Sequence, residues 1–263
     1  MSKRIGIVSE GPTDYLVLKT VIDQITGEDN QYLSLQPEPD MMGRYGNGWK
    51  GVWKWCRETP SVDVLMDSIQ PRIDMIVIQI DGDVVRKEKE VHCWCISTVC
   101  DEKAKKNFPL YCKAAADRKC PIELPCRDHA NEVDEIINHG RYVLEKTLGE
   151  IDKSRILITI PCDSTDAWIV AAYDDFEEVE RIEDPWRNVI AKGKKYHGIR
   201  VRGEKKSIST YSDFAEHIAA NWDNVTRSCH SAACLDRKIR IAFGYKDVNK
   251  DIPELPVKSS TQS

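Results

Sequence analysis

No run of the 263 residues stays apolar for anything near the roughly 20 positions a bilayer-spanning helix needs, and Met1-Ser2-Lys3-Arg4 passes straight into a strand-like segment without a secretory apolar core. A cytoplasmic protein with no membrane partner is the expectation. Positive charge is not in excess either: 38 Lys and Arg stand against 43 Asp and Glu, a formal net charge of −5. That excludes a protein held on nucleic acid by bulk electrostatics, but leaves room for an enzyme with a local basic groove. The Cys-x-x-Cys pair is missing although there are ten cysteines, six of them between Cys93 and Cys126 with His92 and His129 on the flanks. Zinc in this cluster would draw on Cys93, Cys95, Cys120 and Cys126, since zinc takes thiolate and imidazole ligands in closely spaced pairs. The lack of that spacing favours buried free thiols or a loosely ordered insertion. There is no internal repeat.

What the chain does have is a buried-strand run, Ile76-Val77-Ile78-Gln79-Ile80, that ends in Asp81-Gly82-Asp83. Continuous Ile and Val of this length fit a central parallel strand, and ligands of open α/β sheets collect at the carboxyl ends of such strands. Gly82 removes the side chain between the two acids and lets the backbone turn, so both carboxylates can aim at one hard cation. An earlier unit has the same plan: Ile5-Gly6-Ile7-Val8, then Glu10-Gly11-Pro12-Thr13-Asp14, then the helical pattern Tyr15 to Ile22. Pro12 suits a first helical turn, and Thr13 and Asp14 are common near helix starts, so Asp14 reads either as a capping residue or as a ligand. Capping chemistry has no use for Glu10.

Glu10 with Gly11 and Asp14, followed by Asp81-Gly82-Asp83 after a later strand, resembles the TOPRIM domain of topoisomerases, primases and OLD-type nucleases. The resemblance implies a compact parallel sheet flanked by helices, with Glu10, Asp81 and Asp83 binding Mg²⁺ or Mn²⁺ and acting on phosphodiester bonds. A third stretch, Pro161-Cys162-Asp163-Ser164-Thr165-Asp166-Ala167-Trp168, is similar to a segment of small stand-alone TOPRIM-like proteins of mobile elements and antiviral defence. In that segment the acid before Ala-Trp is more often glutamate; here it is Asp166, a shorter arm, which reads as a further metal ligand or a first-turn dipole acid. The implied activity is a metal-dependent nuclease acting on DNA or RNA, as the effector of an anti-phage system with an ATPase partner protein, and homo-oligomer formation stays open. Two alternatives survive. Ile80-Asp81-Gly82-Asp83-Val84-Val85 also resembles the first motif of haloacid-dehalogenase-type phosphatases, with Asp174-Asp175 as a late acidic pair, and a TOPRIM-like interaction module without catalysis is the other.

The remaining segments frame these motifs. A glycine-rich stretch from Met41 to Lys50 offers Arg44 and Lys50 to a nucleic-acid strand, and the helix after it would pack Trp49, Val52, Trp53 and Cys56 on the sheet with Trp55 pointing elsewhere. Residues 84–128 lack sustained periodicity and read as a Cys-rich insertion. Helical spacing returns over 130–148, a strand follows at Ile156 to Ile160, and Ser164 would cap a helix over Thr165 to Tyr173. Beyond it an acidic run, Asp174 to Asp184, precedes a basic one containing Lys192, Lys194, Lys195, His197, Arg200, Arg202, Lys205 and Lys206, with Tyr196 among them. Lys194, Lys195, Arg200 and Arg202 are the nucleic-acid candidates; the competing reading pairs the two runs with each other. Two closing helices with Phe214, Ile218, Leu235 and Ile239 inward end the folded part. The expected organisation is an α/β domain over 1–175, a charged, mainly helical C-terminal elaboration over 176–250, and a mobile tail over 251–263.

Overall fold

The computed structural model describes residues 1–37, 46–86, 132–174 and 176–245. Arg44, the zinc candidates Cys93, Cys95, Cys120 and Cys126, the insertion beyond Arg86, Asp175 and the tail lie outside the described residues. Within them, β1 (Arg4–Val8), α1 (Pro12–Thr26), β2 (Gln31–Gln36), α2 (Trp49–Glu58), α3 (Val62–Ser68), β3 (Met75–Gln79) and the short α4 (Asp83–Arg86) come first. After residue 131 follow α5 (Val133–Leu148), β4 (Ile156–Thr159), α6 (Asp166–Tyr173), a 3-10 turn (Val179–Arg181), α7 (Pro185–Ala191), the hairpin β5 (Lys195–Tyr196) and β6 (Ile199–Arg200), α8 (Ile208–Ala220), α9 (Trp222–Ser228) and α10 (His230–Ala242).

The four longer strands form one parallel sheet in the order β2-β1-β3-β4. Alternation along each strand divides its side chains between two apolar layers. Ile5, Ile7, Met75, Val77 and Leu157 face the layer made by α1, α6, α8, α9 and α10, while Val8, Ile76, Ile78, Ile156 and Ile158 face α2, α3 and α5. A sheet buried on both faces is why these strands read as unbroken apolar runs. Gly6 is needed here for space: a Cβ would sit 2.6 Å from Leu35 Cδ1 on the neighbouring strand.

α1 starts with Pro12 in its first turn, where a missing N–H costs nothing, and stops at Gly27, whose φ of 64° is the left-handed cap a side chain would resist. Its buried stripe, Val17, Leu18, Val21, Ile22 and Ile25, follows the 3.6-residue period, each side chain contributing about 1.5–3 kcal/mol when removed from water.

Several local expectations need correcting. Helix α2 buries Trp55 (3% exposed) with Trp49, Val52 and Cys56, while Trp53 is only partly covered and carries Arg57 across its ring. Gly51 faces the chain at Gly46 and Gln36 so closely that a Cβ would collide with the Gly46 oxygen, and this approach sets the rotation that leaves Trp53 outward. On α5, Ile136, Ile137, Val143 and Leu144 turn inward while Tyr142 stays 42% exposed. The C-terminal region folds as three helices rather than two, broken at Asn221 and Cys229, with Phe214, Ile218, Leu235 and Ile239 all inward. No helix among the described residues is long and apolar enough to cross a membrane.

Candidate functional site

β1 sends the chain to β2 on one side and is flanked by β3 on the other, so the strand order reverses between β1 and β3, where a crevice opens at the carboxyl ends. Glu10 leaves the end of β1 and Asp81-Gly82-Asp83 leaves the end of β3. The Asp81 N–H donates to Glu10 Oε1 at 2.8 Å, which joins the two strand ends directly. Gln79, fully buried, locks the same junction: its Oε1 accepts from the Glu10 N–H at 3.1 Å and its Nε2 donates to Asp81 Oδ1 at 2.7 Å. The start of α2 closes one wall, with the Gly48 N–H on the Glu10 carbonyl at 2.8 Å.

The loop between β4 and α6 builds the opposite wall. Its Pro161 carbonyl accepts from the Gly82 N–H at 2.8 Å and its Asp163 carbonyl from the Asp83 N–H at 2.7 Å. Gly82 is required for this approach, since a Cβ would lie 2.9 Å from Ile136 Cγ2 and 3.0 Å from both Cys162 Sγ and the Pro161 oxygen. Space, rather than the turn alone, dictates glycine. Thr165 Oγ1 donates to Asp14 Oδ1 at 2.6 Å, so Asp14 serves the site and makes no side-chain cap for α1. Asp166, 1% exposed, takes the Tyr211 hydroxyl on Oδ1 and the Lys206 ammonium on Oδ2. α6 itself starts at Asp166 rather than Thr165, with Ser164 Oγ accepting from the Asp166 N–H.

Glu10, Asp14, Asp81, Asp83 and Asp166 thus share one crevice, the first, third and fourth of them partly open to solvent and Asp14 and Asp166 buried. Burial pushes Glu10 up to about 8, with Asp83 and Asp14 adding repulsion against the pull of the Asp81 and Trp49 N–H groups. Asp14 rises to about 6, from burial against the Thr165 hydrogen bond, and Asp81 rises well above the carboxylate range from burial and from Glu10, Asp14 and Asp83. Burial works to lower Lys206, but Asp166, Asp81 and Asp14 outweigh it and hold the ammonium charged.

Among the described residues, no three His, Cys, Asp or Glu side chains already surround a common cation position. The acids are instead turned onto protein donors. Their chemistry still fits a hard divalent cation: the donor set is all oxygen, and like charges crowded in a partly dry crevice are what Mg²⁺ or Mn²⁺ relieves.

Three residues of this centre are not marked as such by the sequence pattern. Lys206 sits at the end of a basic run and is indistinguishable there from surface cations, and Tyr211 lies inside an ordinary helical stretch. Gln79 does carry a signal, since a lone amide inside a buried Ile/Val run must find partners. Of the nucleic-acid candidates, Lys50 lies in the first turn of α2 beside the Glu10 wall, its ammonium over the Trp49 ring at 5.4 Å. Lys194, Lys195, Arg200 and Arg202 are exposed on and beside the β5–β6 hairpin and do not enter the carboxylate crevice. Tyr196 is fully buried with its hydroxyl on Asp174 at 2.8 Å, so it offers no stacking surface. Asp174, one half of the phosphatase-like pair, is held there by Tyr196 and His197, away from Asp81. Neither family models, curated proteins nor solved structures gave a match to this chain.

Proposed function

We propose that this chain is a metal-dependent nuclease with a TOPRIM-like site, hydrolysing phosphodiester bonds of DNA or RNA. The observation that carries the reading is the convergence of Glu10, Asp81 and Asp83 at the strand-order reversal, with Asp14 and Asp166 beside them. Glu10, Asp81 and Asp83, which keep solvent access, would hold Mg²⁺ or Mn²⁺. The bound ion would supply the positive charge that acidifies water and stabilises a leaving oxygen.

The chain's own residues do the positioning. Gln79 fixes Glu10 and Asp81 relative to each other, and the Pro161 and Asp163 carbonyls fix the backbone of the Asp81–Asp83 turn. Asp166 and Tyr211 hold Lys206 at the crevice, where its charge offsets part of the carboxylate repulsion and can face a substrate phosphate. Lys206 is about 40% exposed on its side chain, so it reaches the mouth rather than the floor.

The test is cleavage of supercoiled plasmid, single-stranded DNA and a tRNA pool in Mg²⁺ or Mn²⁺, beside Glu10→Ala and Asp81→Ala. Cutting that both variants and EDTA abolish is the expected result, and the substrate that is cut names the class. Turnover of a phosphate monoester with no cutting would replace this reading with the phosphatase; inertness in every assay would favour the interaction module.

A further inference from the structure

The register of the basic run adds a feature that its composition does not show. Between Lys192 and Lys206 there are seven Lys and Arg residues against the single acid Glu204, in a chain of net charge −5. The competing reading, that this run pairs with the acidic one, holds at His197, which meets Asp174 Oδ1 at 2.8 Å, and not at the lysines and arginines of the hairpin. Among the described residues, the acids of that run that form ion pairs do so with Arg181, Arg187 and His197, and none pairs with Lys194, Lys195, Arg200, Arg202 or Lys205.

Their placement is also unusual. In the β5–β6 hairpin, Lys195 is the register partner of Arg200, and the next backbone bridge sets Arg202 opposite Lys205. Cross-strand partners project on the same face with Cβ atoms about 5 Å apart, and like charges so placed repel. One such pair is tolerable; two in tandem, on a rigid support, break a local rule in a way that functional surfaces do. The support is rigid because the other cross-strand pair turns inward: Tyr196 is fully buried opposite Ile199. His197 stacks on Tyr173 and bonds to Asp174, and Trp186 Nε1 donates to the Gly203 carbonyl at 3.1 Å. His197 and Gly198, with φ of 46° and 89°, make the tight two-residue turn that suits a twisted hairpin.

We infer that the two cross-strand cation pairs, Lys195/Arg200 and Arg202/Lys205, are a phosphate clamp that grips the backbone of the nucleic-acid substrate and delivers it to the carboxylate crevice. An anion lying between the members of each pair converts the repulsion into attraction. The chain continues from Lys205 directly into Lys206, bound to Asp166 inside the crevice, so the clamp leads to the centre where cleavage would occur. Tyr196 is buried, Trp186 is only 5% exposed and one face of the His197 ring is already stacked on Tyr173, so the rings of this segment are engaged within the fold. The grip is therefore on phosphates and is indifferent to sequence. That the polyanion is nucleic acid rests on the nuclease reading above; that the surface binds successive phosphates rests on the pairs alone.

The test is fluorescence polarisation of labelled 20-nucleotide strands of different sequence, in EDTA so that nothing is cut, against the wild-type chain and Lys195→Glu/Arg202→Glu. Each replacement puts an acid opposite Arg200 or Lys205, so the hairpin gains two favourable pairs and the melting temperature does not fall. Binding weakens by roughly 25- to 60-fold at about 0.1 M salt, and the slope of log affinity against log salt becomes shallower by about 1.5, as expected for two lost phosphate contacts. Equal loss for every sequence supports the clamp. Unchanged affinity in the variant overturns it, as does a loss confined to one sequence, or equal hairpin-dependent capture by anionic phospholipid vesicles that takes no oligonucleotide. Cleavage by the wild type with unchanged variant binding would sink the clamp and leave the nuclease; variant-sensitive binding without any cleavage would leave the clamp and sink the nuclease.

Discussion

Glu180 belongs to the acidic run Asp174 to Asp184, yet it is 3% exposed and receives hydrogen bonds from the Ser231 N–H at 3.1 Å, from the Ser231 hydroxyl, and from the backbone of His230 and Cys162. Burial outweighs these donors and raises its pKa from 4.5 to about 7. The folded chain therefore keeps this proton up to near neutrality, whereas the unfolded chain releases it near 4.5. The resulting stability is present in full below pH 4.5 and is lost as the pH climbs through about 7. At about 1.4 kcal/mol per pH unit, the loss comes to about 3 kcal/mol. Urea denaturation at pH 5, 6, 7 and 8 in EDTA should show the wild type losing stability with rising pH, and Glu180→Gln losing about 2–3 kcal/mol less across that range. The variant keeps a residual decline, since Glu10 and Asp14 are raised by burial as well and act with the same sign. Parallel pH profiles for the two proteins would refute the reasoning, because an acid already ionised when buried could not generate the difference.

The crowded carboxylates imply that Mg²⁺ raises the melting temperature, more so at pH 8 than at pH 6 as protons leave Glu10 and Asp81, and that Asp81→Asn removes most of the rise in a thermal scan. Gly82→Ala has no room for its methyl group and should cost about 1–3 kcal/mol while displacing the Asp81–Asp83 turn, so cleavage per folded molecule falls as well. Trp55→Ala should destabilise by about 3–5 kcal/mol and Trp53→Ala by clearly less, measured by denaturation, because only the former leaves a cavity on the sheet. Tyr211→Phe removes one of the three side chains bonded to the Asp166 carboxylate; Lys206 is then misplaced, and a drop in kcat with KM unchanged is expected.

The parallel sheet was legible because β1, β3 and β4 are buried on both faces, so Ile5 to Val8, Ile76 to Ile80 and Ile156 to Ile160 carry unbroken apolar runs. Glu10, Asp81 and Asp83 could be singled out since a carboxylate directly after such a run has few structural uses. Helix faces were less legible. In α2, four large residues within eight positions allow two rotations, and contacts from Gln36 and Gly46 select the one that buries Trp55. Asp14, Gln79 and Lys206 have roles set by partners 151, 2 and 40 residues away, and for Asp14 and Lys206 such distances leave no periodic trace. The acidic run looked uniform because charge counting cannot tell Glu180, drawn beneath the start of α10, from its exposed neighbours Glu177 and Glu178. The cation pairs of the hairpin were hidden for a similar reason, since cross-strand register depends on the His197–Gly198 turn rather than on composition.

Whether the crevice at the ends of β1 and β3 is a divalent-cation site is tested most directly by calorimetric titration of Mg²⁺ and Mn²⁺ into the wild type and into Glu10→Gln/Asp81→Asn, both confirmed as folded. Saturable binding by the wild type that the double variant lacks is the predicted result. Binding of equal strength by both proteins, or no saturable binding by a folded wild type, would contradict it.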